Sequence, residues 1–361
     1  MESVKKILLI KLRHHGDVLL TTPLIAGLRY FFKDAKIDCL IYEESTPILQ
    51  HHPEINAIHI VSRTWRKKGI FHRFLQEKKL IQAIQNTQYQ LVLNLTEGDR
   101  GAIYTYFSNA QYRIGLDPEG KGFFGKAKVY THLVRHHGLF KHTVEMQLEF
   151  LRVLQLNPPY FIRELLLKYE KNHVESIRQY VLPKTILVHP VSRWMFKAIP
   201  VDSVSYVIKQ LQERGYHIIL TASSDEKEVE YVNELMSMID CGSLKNLTGQ
   251  LSLLELAALI DQVDLVLTCD SLPMHMAAAF KKPQVALFGP TSSIKWAPWR
   301  NPYATVVEMK LPCQPCYKAG CQNTGISDCL VSLPKEIILK KVLSTIEKSP
   351  VLNSERSLQG C

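Results

Sequence analysis

The sequence predicts two α/β domains, each organised around a mostly parallel β-sheet. Short apolar runs of strand length alternate with helix-like segments along the 361 residues, and this alternation occurs twice, in two halves of similar size. Strands that alternate with helices are typical of βαβ units, which build parallel sheets. A chain of this length also exceeds what one hydrophobic core usually organises. We therefore expect one domain over residues 1–170 and a second over residues 184–334.

The first half contains four predicted strands. Their apolar runs lie at residues 6–11, 37–42, 58–61 and 90–95. Residues 12–17 follow the first strand as a polar loop with one glycine, and helices are expected from Val18 to about Phe32 and from about Thr46. Glycine and lysine dominate residues 115–128, which predicts a further loop.

The second half repeats this order. Strands expected at 185–189, 217–221, 264–270 and 284–288 alternate with helices expected at 201–213, 226–238, 253–260 and 271–280. Gly215 follows the first of these helices, where glycine commonly ends a helix. A closing helix is predicted over residues 335–348, and residues 349–361 form a predicted disordered tail.

The chain carries a formal net charge of +10, which favours anionic partners. Its densest basic segment, residues 63–79, interleaves lysines and arginines with Trp65, Ile70, Phe71 and Phe74. One interpretation is a solvated helix face whose apolar side packs inward; the other is a patch that faces a membrane or an acceptor. No helix-turn-helix, zinc-finger or RNP motif accompanies the segment, so we expect no nucleic-acid partner.

Neither a membrane span nor a signal peptide is predicted. No window contains the roughly 18 uninterrupted apolar residues that a spanning helix requires. The basic residues near the N-terminus precede only the short apolar run 7–10, which is too short for the apolar region of a signal peptide. We therefore expect the protein in the cytoplasm.

Four of the eight cysteines cluster near the end of the second half, at Cys313, Cys316, Cys321 and Cys329. A C-x2-C pair followed by two more cysteines is compatible with a tetrahedral zinc site. The spacings are irregular, however, and a cytosolic chain is not expected to rely on disulfides. A structural thiol cluster, a bound metal ion and disulfides are the three interpretations, and the first is favoured.

Side chains that carry chemistry follow several of the predicted strands. Asp17 follows the first strand, where its carboxylate is either a helix cap or a reactive group. The strand at 185–189 is followed by a hydroxyl, a guanidinium and an ammonium, those of Ser192, Arg193 and Lys197. These groups together predict a phosphate-binding site. The strands at 264–270 and 284–288 end in a carboxylate, two hydroxyls and a glycine turn: Asp270, Ser271, Thr291 and Gly289. This pattern predicts a site for a phosphorylated or sugar-bearing ligand.

Two common nucleotide motifs are missing where this fold class would use them. The loop after the first strand, residues 12–17, is not a G-x-G-x-x-G fingerprint, and no Walker phosphate loop appears in the sequence. Both absences argue against an oxidoreductase and an ATPase.

These segments resemble those of the lipopolysaccharide core heptosyltransferases, inverting glycosyltransferases that use ADP-heptose. The resemblance runs from Lys6 to about Pro334 and is carried by residues 11–23, 189–197, 270–279 and 287–291. The details at 13–23, 36–38, 46–49 and 195–197 look most like the heptosyltransferase III group. The resemblance implies the GT-B fold, an α/β architecture of two Rossmann-like domains facing across a cleft. The first domain would bind the acceptor and the second the nucleotide sugar.

The resemblance also implies roles for single residues. Asp17 matches the general base, and the leaving diphosphate would be stabilised by Ser192, Lys197 and the backbone N–H groups at the start of the helix at 271–280. Further donor contacts are implied for Asp225, Asp270, Ser271, His275, Gly289 and Thr291, and acceptor contacts for Arg13, His14, Glu97 and Arg100. For His275 the alternative is packing within its alanine-rich helix, and the charged run at 225–230 allows several registers for Asp225.

No Asp-x-Asp pair is placed to hold a catalytic divalent ion, so we expect metal-independent transfer and no cofactor. Leu272 departs from the family pattern, which usually has a small residue at that position.

The function implied is transfer of L-glycero-D-manno-heptose from ADP-heptose to the inner core of lipopolysaccharide, as the third, branching heptose on heptose II. The partners would be ADP-heptose, a lipid A–Kdo–heptose acceptor and the inner-leaflet membrane surface, with a monomeric enzyme peripheral on the cytoplasmic face of the inner membrane. Alternatives are a heptosyltransferase I or II activity, another nucleotide-sugar reaction such as 2-epimerisation, and a non-catalytic basic binding module around the cysteine cluster.

Overall fold

The computed structural model describes residues 4–135, 140–239 and 242–348. The chain divides into two compact units between Lys168 and Tyr169. The helix that follows this division, around 171–177, therefore belongs to the second unit, whereas the sequence had left it between the two expected domains. The predicted tail, residues 349–361, lies outside the described residues.

The first unit is a six-stranded sheet in the order β3-β2-β1-β4-β5-β6, and all its pairings are parallel. Its strands are β1 Lys6–Lys11, β2 Lys36–Tyr42, β3 Ala57–Val61, β4 Leu91–Asn94, β5 Tyr112–Leu116 and β6 His132–Val134. Its helices are α1 His15–Leu19, α2 Thr22–Phe31, α3 Thr46–Leu49, α4 Ile70–Thr87, α5 Asp99–Phe107 and α6 Thr143–Arg152.

The second unit is another six-stranded parallel sheet, in the order β12-β11-β10-β7-β8-β9. Its strands are β7 Thr185–His189, β8 His217–Leu220, β9 Leu244–Asn246, β10 Leu265–Cys269, β11 Gln284–Leu287 and β12 Ala304–Val307. Its helices are α7 Lys171–Ile177, α8 Val201–Gln212, α9 Glu226–Ser237, α10 Leu253–Gln262, α11 Leu272–Ala279, α12 Ser293–Trp296, α13 Asp328–Val331 and α14 Lys335–Glu347.

Both sheets have the doubly wound order of a Rossmann-like domain, which confirms the predicted α/β class. In each unit the first strand lies beside the fourth, β1 beside β4 and β7 beside β10, and the strand order reverses there. Ligands of such sheets bind beyond the carboxyl ends of the strands at this reversal. The fold therefore points to the loops after β1, β4, β7 and β10.

The central strands are apolar throughout because helices cover both of their faces. In β1, every residue from Ile7 to Ile10 is at most 1% exposed, and all five residues of β7 are buried. Edge strands β6 and β9 are only three residues long and include polar side chains, which explains why the sequence pattern did not reveal them.

The segment expected as one helix from Val18 to Phe32 forms two helices. The loop expected at 12–17 is shorter in the structure, because the first of these helices already begins within it. Helix α1 begins at His15, so His14 holds the cap position, and of the two alternatives for Asp17 the helix cap is wrong. Helix α1 ends because Pro23 has no N–H to donate to the Leu19 carbonyl, which instead accepts from the Thr22 hydroxyl at 2.9 Å.

The loop expected at 115–128 is shorter than predicted at both ends. Gly115 and Leu116 are the last residues of β5, and a 3₁₀ turn begins at Lys126. Gly115 is needed inside the strand because a Cβ there would lie 2.2 Å from the Tyr130 ring. Among the described residues, no helix combines the length and apolarity needed to cross a membrane.

Candidate functional site

The loops after β1 and β4 are joined at the strand reversal of the first unit. The Leu12 N–H donates to the Thr96 hydroxyl at 2.9 Å, and the Arg13 guanidinium pairs with the Glu97 carboxylate at 3.0 Å. Two residues expected to bind the acceptor, 84 positions apart, are thus in direct contact. His14, a third, is the cap residue of α1 beside them.

Asp17 lies in the first turn of α1, at the same edge of the sheet. Its carboxylate is 3.8 Å from the Lys11 ammonium, and the two side chains are 20% and 8% exposed, respectively. The nearly buried lysine orients a carboxylate that remains accessible to a ligand. A carboxylate in this position can accept a proton from a hydroxyl brought within hydrogen-bond reach.

Lys126 belongs to this edge, although the sequence pattern did not single it out. It is 5% exposed, its ammonium pairs with Asp99 at 3.0 Å, and it donates to the Glu97 carbonyl at 2.5 Å. A lysine in a glycine-rich loop was the one signal available in the sequence, and it gave no indication of burial.

Arg100, the fourth residue expected to bind the acceptor, is engaged with its own unit. Its guanidinium is ion-paired with Glu77 of α4 and lies 5.7 Å from the centre of the Trp65 ring. Glu77 also accepts from the Tyr104 hydroxyl. These contacts tie α5 to α4 and place Arg100 in a structural cluster.

The strand reversal of the second unit carries an ion pair. The Lys197 ammonium, after β7, donates to the Asp270 carbonyl at 2.7 Å and to its carboxylate at 3.1 Å. The two side chains are only 14% and 8% exposed. The structure therefore brings together two predicted donor-site residues 73 positions apart.

Three predicted hydroxyls follow strands β7, β10 and β11. Ser192 donates to the Trp194 carbonyl at 2.9 Å, and the Ser271 hydroxyl is 3.1 Å from that of Thr268. The Thr291 hydroxyl is buried, and among the described residues it has no hydrogen-bond partner. A buried hydroxyl without a partner is costly unless a ligand or water satisfies it.

Gly289 lies in the same turn as Thr291 and has no room for a side chain. A Cβ at this position would be 2.8 Å from the Leu330 side chain. Its carbonyl accepts from the Gln314 amide at 2.7 Å, and this hydrogen bond ties the turn to the segment that contains the cysteine cluster.

The charged run after β8 contains three exposed carboxylates and one buried carboxylate. Asp225 is exposed and caps α9 by accepting from the Lys227 N–H at 3.2 Å. Glu228 is 4% exposed and accepts from the Ser223 N–H at 2.8 Å. The sequence could not distinguish them, because every residue of this run but one is charged.

His275 and Leu272 occupy α11. His275 is 5% exposed and is one of six consecutive buried residues in this helix, 273–278. Leu272 is the first residue of this helix and is partly exposed, so it borders the Asp270–Ser271 turn.

His189 is a buried group at the end of β7 with a shifted pKa. Its Nδ1 is 3.0 Å from the Thr221 hydroxyl. Burial lowers its pKa from 6.5 to about 4, because the charged form would lose its hydration. The ring is therefore neutral at pH 7.

The shift at His189 predicts a loss of stability in mild acid. Between pH 6.5 and 4 the unfolded chain binds a proton at this residue and the folded one does not, so stability falls as the pH decreases through this window. From pH 7 to pH 5 this one residue should cost about 2 kcal/mol of unfolding free energy. Urea unfolding at both pH values measures this loss of unfolding free energy, which should be smaller by this amount in His189→Gln than in the wild type. Equal losses in the two proteins would contradict the assignment of the shift to His189.

The cysteine cluster packs over the turn that contains Gly289. The Tyr317 N–H, within the cluster, donates to the Pro290 carbonyl at 2.9 Å. Burial, together with the smaller effect of the three neighbouring thiols, raises the pKa of Cys329 to about 11. The four cysteines are free thiols, and no group of three or more potential ligands in the described ranges is arranged to hold a metal ion. The arrangement agrees with a structural thiol cluster.

Comparison with known proteins gives consistent results for sequence and fold. The family model described as glycosyltransferase family 9 (heptosyltransferase) matches residues 78–327. Lipopolysaccharide heptosyltransferase 3 of Escherichia coli is 34% identical over 295 residues, which cover 80% of this chain and 83% of that protein.

Two solved structures share the fold over nearly the whole chain. A glycosyltransferase family 9 protein from Veillonella parvula superposes with a TM-score of 0.80 at 21% identity, covering 97% of this chain and 99% of that one. The E. coli ADP-heptose lipopolysaccharide heptosyltransferase II superposes with a TM-score of 0.76 at 22% identity, covering 95% and 99%. These likenesses confirm the GT-B fold class.

Proposed function

This chain belongs to glycosyltransferase family 9, the heptosyltransferases, and we propose that it transfers heptose from ADP-heptose to the inner core of lipopolysaccharide. The observation that carries the proposal is that each unit has a lysine–aspartate pair at the position where its strand order reverses. Lys11 and Asp17 lie at one reversal, and Lys197 and Asp270 at the other. The 34% identity to lipopolysaccharide heptosyltransferase 3 supports the third, branching heptose as the product.

Asp17 would act as the general base. Its carboxylate takes the proton of the acceptor hydroxyl as that oxygen attacks the anomeric carbon of heptose. The bond from this carbon to the diphosphate oxygen breaks on the opposite face, so the configuration inverts and ADP leaves with the bonding electrons. Arg13 and Glu97, joined at the same edge, would bind polar groups of the acceptor.

The second unit would bind the donor. The Lys197 ammonium, the Ser192 and Thr291 hydroxyls and the first backbone N–H groups of α11 can neutralise the diphosphate as charge develops on it. Asp270 and Ser271 would contact the sugar or nucleotide, with Gly289 letting the backbone approach. The carboxylates of Asp225 and Glu228 would accept hydrogen bonds from the ribose hydroxyls.

We also propose that no divalent ion takes part, because a fixed ammonium supplies the positive charge that a metal would bring to the leaving group. The enzyme would act as a monomer on the cytoplasmic face of the inner membrane. These points rest on the family resemblance and on the position of Lys197.

A transfer assay tests the proposal. Purified protein is incubated with ADP-heptose and a truncated core acceptor that carries two heptoses, in the presence of EDTA. We expect equimolar ADP and a product heavier by one heptose, with no turnover of an acceptor that already carries the branching heptose. Conversion of the donor without acceptor would instead indicate an epimerase, and no reaction with either acceptor would contradict the proposal.

A further inference from the structure

One surface of the first unit combines strong positive charge with exposed apolar side chains. It comprises residues 63–79, which form a 3₁₀ turn at Arg63–Arg66 and the first half of α4. This segment holds seven lysines and arginines and a single acidic residue, Glu77, whose carboxylate pairs with Arg100. We call residues 63–79 the basic-apolar segment.

The apolar side chains at the start of α4 face solvent. Ile70, Phe71 and Phe74 are 88%, 73% and 63% exposed. The residues of α4 that are buried, Leu80 and Ile84, come later in the helix. The interpretation that the apolar side of this segment packs inward is therefore wrong for these three residues. Cationic residues beside exposed aromatic and aliphatic ones are typical of helices that lie in a membrane interface.

The exposed apolar surface continues onto α5. This helix packs against α4 and against the 3₁₀ turn Lys126–Val129. It presents Tyr106, which is 60% exposed, beside a groove of about 290 Å³. Apolar side chains and one ammonium line the groove, among them Ile103, Phe107, Phe123 and Lys128.

The basic-apolar segment lies at the edge of the sheet that carries Asp17. It follows β3 directly, and the carboxyl ends of parallel strands share one edge, so it lies at the edge where Asp17 follows β1 and Glu97 follows β4. Arg63 fixes it there by pairing with Glu44 at 2.9 Å and lying 4.2 Å from the centre of the Tyr42 ring.

We propose that the basic-apolar segment, extended by the exposed face of α5, docks this unit on an anionic lipid bilayer. Lysines and arginines contact the anionic headgroups, and Ile70, Phe71 and Phe74 insert below them. Docking through this edge presents Asp17 to an acceptor anchored in the same bilayer. The inference deepens the proposed function and rests on it for the nature of the acceptor, but docking itself requires no transfer.

Vesicle sedimentation with the full chain tests the proposal. We expect binding to vesicles of equal parts phosphatidylcholine and phosphatidylglycerol, and weak binding to phosphatidylcholine alone. Phe71→Ser/Phe74→Ser and Lys67→Glu/Lys68→Glu should each weaken binding at least about tenfold. The matched controls, Phe161→Ser at a 69% exposed position and Lys340→Glu/Lys341→Glu on α14, should bind as the wild type does.

Three results would overturn the docking surface. The first is that the wild type does not bind the anionic vesicles. The second is that the Lys340→Glu/Lys341→Glu control loses as much vesicle binding as Lys67→Glu/Lys68→Glu does. The third is full binding by Phe71→Ser/Phe74→Ser, which would indicate attraction to any polyanion, nucleic acid included. Heptose transfer to a soluble, deacylated acceptor is measured separately, and both docking variants should retain wild-type kcat there. A wild type that binds vesicles but transfers no heptose would refute the proposed function and leave the docking surface standing.

Discussion

Replacement of Asp17 by asparagine should lower kcat for heptose transfer by about a hundredfold to ten-thousandfold, the range that a general base contributes. The amide keeps the shape of the side chain but cannot accept the proton of the attacking hydroxyl. The KM for ADP-heptose should stay near the wild-type value, because the donor is assigned to the other unit. Initial rates of ADP release measured over both substrates give the two parameters.

The matched control is Asp34→Asn, which removes an exposed carboxylate from the same unit. It should retain wild-type kcat. Loss of folding does not account for the expected result at Asp17, since its ion pair among the described residues is a 3.8 Å approach to Lys11. Thermal unfolding of the variant checks this. Wild-type turnover by Asp17→Asn would remove this residue from the mechanism.

Replacement of Lys197 by methionine should lower kcat/KM for ADP-heptose by about a hundredfold to a thousandfold, since it removes the ammonium that meets the developing negative charge. It should also lower the free energy of unfolding by about 3 kcal/mol, because it leaves the nearly buried Asp270 carboxylate without its partner. Steady-state kinetics and urea unfolding measure the two effects.

The double variant Lys197→Met/Asp270→Asn separates these effects. It removes the uncompensated charge along with the ammonium, so most of the lost stability should return while transfer stays low. If activity returned together with stability, Lys197 would have only a structural role, and its assignment to the leaving group would be wrong.

Much of each unit's centre could be predicted from local sequence. Strands β1, β2, β7, β8, β10 and β11 were expected within one or two residues of where they lie. Strand β5 was hidden because it contains Gly115, which the pattern assigned to a loop. Strand β12 is only partly buried and carries no distinct apolar run.

The candidate site was predicted less evenly. Arg13, Glu97 and Arg100 were all expected to bind the acceptor. Arg13 and Glu97 are in contact, whereas Arg100 pairs with Glu77, which precedes it by 23 positions. Lys126, at the start of a 3₁₀ turn, and Glu228, in the first turn of α9, were missed because a buried charge has the same local sequence as a solvated one. Their burial depends on how these segments pack, which the local sequence does not show.

The sequence by itself determined the α/β class, the central strands and the loops that bear the candidate site, because a strand covered by helices on both faces must be apolar along its whole length. Only the tertiary structure decided which charged side chains meet: Lys197 reaches Asp270 because β7 and β10 pair in parallel and end at one edge. The same holds for Ile70, Phe71 and Phe74, whose hydrophobicity was plain in the sequence. That they face solvent depends on where α4 meets the sheet, and no local pattern encodes that.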